Sequence, residues 1–150
     1  MASLLLVHHS PTPSLDRLRQ ALLAGATHEA ITDVVVVAVP ALRATHADVL
    51  AADAILLLTP CNFGYAAGAM KHFFDRSFRA LEGRTPGLPY GLVVKGTTDA
   101  SGAVRALESF ATGLAWRRVL PPYVIEGDVT AEHVDDCQEL AATVAAGLVL

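Results

Sequence analysis

The stretch Asp53-Ala54-Ile55-Leu56-Leu57-Leu58-Thr59-Pro60-Cys61-Asn62-Phe63-Gly64-Tyr65 decides the fold, together with the helix it launches, Ala66 to about Leu81. The run up to Leu58 is short, apolar and bounded by polar and turn residues, as a strand buried on both faces would be. Pro, Asn and Gly then mark a loop, after which the period changes. Met70, Phe73, Phe74 and Ser77 recur at helical spacing, with Lys71, Asp75 and Arg79 four apart on a wetter side. A buried strand, a glycine-bearing loop and a helix start make a rim where flat or anionic ligands sit.

Working outward, the same strand-loop-helix unit repeats. Leu4–Val7 is a first buried strand. It is followed by Ser10-Pro11-Thr12-Pro13-Ser14 and a helix with Leu15, Leu18 and Leu22 on one stripe. Ser14 reads as its N-cap, with Asp16 in the first turn. Val34–Val39, closed by Pro40, is the second strand, and a weakly marked helix spans about Thr45 to Ala52. Tyr90–Lys95 is the fourth strand, leading through Gly96–Gly102 into a helix with Val104, Leu107, Ala111 and Leu114 buried. A fifth strand near Val119–Ile125 contains Pro121 and Pro122, which places it at an edge. Thr130 begins a last helix, with Val134, Cys137, Leu140, Ala141 and Val144 inward.

Alternating strands and helices imply a parallel sheet with helices on both faces. The chain is expected to be one domain over 1–150, a three-layer doubly wound α/β fold with five parallel strands in the order 2-1-3-4-5. The loops after strands one, three and four then converge on one edge of the sheet. They hold Ser10, Thr12, Ser14 and Leu15; Pro60, Cys61, Asn62, Phe63, Gly64 and Tyr65; and Thr97, Thr98, Asp99, Ser101 and Gly102.

Composition excludes several classes. At 150 residues, 53% apolar and 17% charged, the chain suits strands covered on both faces. A formal charge of −4 gives no electrostatic case for nucleic acid. No apolar run is long enough for a membrane span, and the N-terminus lacks the basic start of a signal peptide, so a soluble cytoplasmic protein is expected. Two cysteines, Cys61 and Cys137, make no disulfide framework, and the six histidines show no metal-ligand spacing. A dinucleotide fold is disfavoured: there is no G-x-G-x-x-G after the first strand, and the second ends in Val39-Pro40 rather than an acid. Cys61 has no following arginine until Arg76, against a phosphatase-type loop. A receiver domain would want carboxylates where His8, His9 and Ser10 stand.

The loops suggest ligand chemistry by their donors. The first offers hydroxyls and helix-start N–H groups for a phosphate, although Pro11 and Pro13 each remove an N–H. The second offers Asn62 and backbone N–H groups to a heterocycle edge. Phe63 is either free to stack, as is Tyr65, or tucked into the core. The third adds small hydroxyls.

The segment Thr59-Pro60-Cys61-Asn62-Phe63-Gly64-Tyr65, continued by Gly68, Met70, Lys71, Phe73, Phe74 and Asp75, resembles the T-P-x-N-F-G-x-x-x-G-x-x-K-x-F-F-D segment of the flavodoxin-like superfamily, which includes NAD(P)H-dependent FMN and quinone reductases. Gly96–Gly102, running into Ala103-Val104-Arg105, resembles the third flavin loop of small flavodoxin-family proteins. The resemblance implies FMN, its phosphate in Ser10–Leu15 and its ring against Pro60–Tyr65 and Thr97–Gly102. It also implies NAD(P)H as co-substrate, a quinone or flavin acceptor, and a homodimer, for which the sequence shows no interface. The first loop departs from the family's S-x-T-G-x-T, with proline for glycine and leucine for the last threonine. No side chain stands out as an acid or base. The competing readings are a non-enzymatic electron carrier, against which the modest charge leans, and a cofactor-free domain, which the two prolines favour.

Overall fold

A computed structural model describes residues 1–150. The elements are β1 (Ala2–His8), α1 (Pro13–Ala26), β2 (Val34–Pro40), α2 (His46–Leu50), β3 (Ala54–Asn62), β4 (Tyr65–Ala66), α3 (Gly68–Leu81), β5 (Pro89–Gly96), α4 (Ser101–Gly113), β6 (Arg117–Arg118), β7 (Tyr123–Glu126) and α5 (Ala131–Gly147). Their sheet runs β2-β1-β3-β5-β6 in parallel, with β7 also parallel to β5. Taken as one broken strand, β6 and β7 complete the expected order.

The fifth strand is the first correction. It is not continuous over Val119–Ile125. Pairing begins at Arg117, lapses at Leu120–Pro122 and resumes at Tyr123. Pro121 and Pro122 have no N–H to give a ladder, so the strand breaks where they fall. α2 is also shorter than expected, five residues held by a reciprocal cap in which the Asp48 carboxylate accepts the Thr45 N–H at 2.8 Å.

Because β3 is central, Ala54–Leu58 is fully buried, and each of its leucines contributes roughly 1.5–3 kcal/mol of burial free energy. Alternate residues of the strands serve two cores. Leu4, Leu6, Leu56 and Leu58 meet Leu15, Leu18 and Leu22 of α1 and Cys137 and Ala141 of α5. Leu5, Val7, Ile55 and Leu57 meet Met70, Phe73 and Phe74 of α3 and Leu107 and Ala111 of α4. On that second face Phe74 packs against Phe73, Phe110 and Trp116, with centroids 5.0–5.6 Å apart. The Trp116 Nε1–H donates to Thr85 Oγ1 at 2.9 Å. This aromatic cluster locks α3 to α4, and so fixes where their N-termini point. Lys71 and Asp75 pair at 3.0 Å on the wet side of α3, as the spacing predicts.

Candidate functional site

Strand register gathers the three turns. His8 lies opposite Leu58, and Pro60 opposite Lys95. The His9 N–H donates to the Leu58 carbonyl at 2.9 Å, so the first turn leaves the sheet directly beside the second. All three leave from the carboxyl ends of β1, β3 and β5, on either side of the point where strand order reverses.

The second turn is a two-residue hairpin. Cys61 and Asn62 end β3 and pair antiparallel with Ala66 and Tyr65 of β4. Phe63 and Gly64 sit at its tip with φ of 52° and 70°. Two left-handed residues match the right-handed twist of the flanking strands, the geometry that favours Asn-Gly or Gly-Gly. A phenylalanine held there is strained. Its ring gains no burial in return: Phe63 is fully exposed and Tyr65 is 45% exposed. The alternative of Phe63 in the core is therefore overturned, because the turn aims the ring outward.

The third turn is fastened to this hairpin. A Cβ on Gly102 would lie 1.8 Å from the Gly64 carbonyl oxygen, so only glycine lets the start of α4 approach the hairpin tip. The Cys61 thiol sits 3.8 Å from the Asp99 carbonyl. Asp99 accepts the Ser101 N–H at 2.9 Å, and the Ser101 N–H and hydroxyl hold its carboxyl below the usual range. Thr97 and Thr98 are exposed beside them. Sequence reading missed Glu126, at the end of β7. Its carboxylate accepts the Ala100 N–H at 2.7 Å and tethers the start of α4, while the Gly127 N–H donates to the Gly96 carbonyl at 2.9 Å. No local pattern marks Glu126, since its partner is 26 residues away.

At the first turn the cap is Thr12, not Ser14. Pro13 takes the first helical position, and Thr12 Oγ1 accepts the Leu15 N–H at 3.3 Å. Proline's fixed φ and missing N–H suit that position, which moves the helix start two residues earlier. Ser10 Oγ is 2.9 Å from His8 Nδ1, and Ser14 Oγ is 3.3 Å from Thr12 Oγ1. Burial, and then the Arg19 guanidinium, lower the His8 pKa, while Asp16 opposes them. Burial alone lowers that of His9. Leu15 is a core residue whose side chain faces away from the turn.

A cavity of about 230 Å³ lies elsewhere. Ala54, Pro89, Arg117 and Leu148 help to line it at the amino end of the sheet. Its lining is mostly aliphatic and lacks a convergent donor set, so we place the functional site at the exposed rim.

A doubly wound sheet in this order, with three donor-bearing turns at its switch point, defines a flavodoxin-like protein. Solved structures with low sequence identity share the fold. A flavodoxin from the domain Archaea superposes with a TM-score of 0.82 at 14% identity, covering 99% of both chains. A WrbA-like flavodoxin from Agrobacterium tumefaciens gives 0.79 at 17%, covering 99% of this chain and 98% of its own. An NADH:FMN oxidoreductase in its apo form gives 0.76 at 15%, covering 99% and 90%. No curated protein matches the sequence. The model of the NADPH-dependent FMN reductase family matches residues 14–136, and the chain belongs to that family of FMN-binding oxidoreductases. No helix is long and apolar enough to cross a membrane.

The residues of the rim fit FMN. The hairpin tip and the start of α4 are in direct backbone contact at Gly64 and Gly102, which leaves the Phe63 ring in solvent beside the donor-bearing turns. The phosphate end is sparser. Pro11 and Pro13 give no N–H, and the Thr12 hydroxyl is occupied by the cap. What remains are the hydroxyls of Ser10 and Ser14 and the backbone N–H groups of Ser10, Thr12 and Ser14, none of which bonds within the chain.

Proposed function

We propose that the chain holds FMN across this rim and passes electrons from NAD(P)H to a quinone, a flavin or a similar acceptor. One observation carries the reading: the hairpin tip and the start of α4 are interlocked at Gly64 and Gly102, on one side of the switch point between β1 and β3. Ser10, Ser14 and the first turn of α1 would hold the phosphate, with Thr12 keeping that turn in shape. Pro60–Tyr65 and Thr97–Gly102 would hold the ring.

Bound FMN supplies the hydride and electron chemistry. The chain's part is placement. Backbone N–H groups of the hairpin and the Asn62 amide would hold the polar edge of the ring as hydrogen-bond donors. Phe63 and Tyr65, both exposed, would supply aromatic surface to the bound ring and leave access for a nicotinamide or quinone. No side chain is needed as acid or base.

The test is optical and then kinetic. Purified protein, as isolated or after soaking with FMN, shows flavin absorbance near the visible bands, and it oxidises NAD(P)H when a quinone or free flavin is added. Absence of flavin uptake after soaking overturns the reading. Uptake without NAD(P)H turnover, but with reoxidation by a partner protein, replaces the enzyme with a carrier.

A further inference from the structure

The cavity at the amino end of the sheet has an origin in the sequence. It is bounded by Ala54 and Pro89, the first residues of β3 and β5, and by the last turns of α5. Across from α5 stand Val119 and Leu120, where the outermost strand leaves its ladder ahead of Pro121 and Pro122. Nor does α5 fill the space. Gly147 in its last turn lines the cavity without a side chain, and a Cβ there would meet no atom within 4 Å.

The lining is apolar with one exception. Val119, Leu120, Val144 and Leu148 supply aliphatic surface, and the Thr143 hydroxyl spends its hydrogen on the Glu139 carbonyl at 2.8 Å. Arg117 is the one charged residue. It is exposed and makes no ion pair, whereas its neighbour Arg118 is paired with Glu108 at 3.2 Å. An apolar cavity of about 150 Å³ stays dry and takes up benzene. The space here, about 230 Å³, suits a body of roughly eight to ten non-hydrogen atoms.

We propose that this cavity binds a small monocarboxylate with an unbranched aliphatic tail, the tail in the aliphatic space and the carboxylate on the Arg117 guanidinium. The two ends of such a molecule need different surroundings, and the cavity supplies both. Burying the tail removes apolar surface from water. A guanidinium offers two parallel N–H donors to the two carboxylate oxygens. Because Arg117 is exposed, that pair keeps part of its hydration and escapes the desolvation cost of a buried one. Selectivity for a single carboxylate follows from the adjoining groove, which shares Leu120 and Thr143 with the cavity and carries Asp136 and Glu139. A second carboxylate on the ligand meets like charge there, or apolar side chains in the cavity. The site lies at the opposite end of the strands from the rim, so it does not rest on FMN binding.

Hexanoate is the probe, added to the full chain as purified and followed by amide chemical shifts. The signals of Leu120, Val144 and Leu148 should move with a Kd on the order of 1 mM, while those of the rim turns stay in place. Butanoate should bind about tenfold more weakly, at roughly three- to fourfold for each methylene lost. 1-Hexanol, which has the same tail without the charge, and adipate, which has a second charge, should each bind about tenfold more weakly than hexanoate. Arg117→Met should bring hexanoate down to the level of 1-hexanol and leave 1-hexanol unchanged. Val144→Phe and Gly147→Leu add volume from a buried and an exposed position and should abolish uptake of both molecules. Gly147→Leu, which has no close neighbour to displace, decides the matter if Val144→Phe misfolds. The absence of shifts up to about 20 mM hexanoate overturns the proposal. So does equal binding of butanoate, which leaves only an ion pair at the surface, or of 1-hexanol, which leaves only an apolar void. Uptake that persists in Gly147→Leu overturns it as well.

Discussion

The hairpin end of the rim and the α1 end are both turns at the carboxyl edge of one sheet, yet they are held by different forces. At the hairpin end, steric interlock sets the geometry: Gly102 admits the Gly64 carbonyl where any Cβ would lie 1.8 Å from it, and Glu126 ties the helix start from another strand. At the α1 end, short-range hydrogen bonds do the work, Thr12 to Leu15 and His8 to Ser10. Interlock is rigid and intolerant of added volume. Local hydrogen bonding is tolerant of substitution but responds to protonation. On the proposed function, the ring of FMN would meet the rigid end and its phosphate the adjustable one.

The largest effect should come from breaking the interlock. Gly102→Ala must push the hairpin and α4 apart, costing about 2–3 kcal/mol of stability and lowering FMN affinity at least about tenfold. Gly25→Ala is the control. There a Cβ would lie 2.0 Å from the Gln138 carbonyl oxygen, at the α1–α5 crossing. Thermal melts should fall for both variants and FMN titration should weaken only for Gly102→Ala. Equal loss of binding in the two would mean that the interlock has no special bearing on the site.

A smaller effect separates turn from ring. Phe63→Asn keeps a residue that tolerates the left-handed φ of 52° and removes the exposed ring. Its melting temperature should hold or rise. FMN and riboflavin affinities should both drop by about three- to tenfold, matching about 0.5–1.5 kcal/mol of lost stacking. Unchanged flavin affinity would show that the ring serves another ligand.

The smallest effect belongs to the adjustable end. Because burial lowers the His8 and His9 pKa values, the folded chain prefers neutral rings, whereas the unfolded chain takes up protons near the usual value of about 6.5. Stability is complete above that pH and drains as pH falls from there towards the lowered folded values. His8→Gln should flatten part of this acid limb in denaturant titrations. His8→Ala, which frees Ser10, should weaken FMN by about threefold, the scale of one hydrogen bond, and leave riboflavin unaffected. Equal weakening of both flavins would detach His8 and Ser10 from the phosphate.

How legible each part was follows from the range of the interactions that make it. The apolar run Ile55–Leu58, the stripe Met70-Phe73-Phe74 and the alternation of strands with helices are local patterns, and the parallel sheet in its order follows from them with the handedness of crossovers. The position of the three turns was legible for the same reason. The cap was misplaced to Ser14 because hydroxyls crowd that turn, and only the preference of Pro13 for the first helical position separates Thr12 from its neighbours.

Sequence by itself determined the fold class, the edge nature of the last strand and which turns share a rim, because burial and backbone restriction act over a few residues. Tertiary structure alone decided that Gly102 meets Gly64, that Glu126 caps a helix 26 residues away and that the ring of Phe63 points into solvent. Each of these depends on where two distant pieces of chain come to rest, which no local pattern encodes.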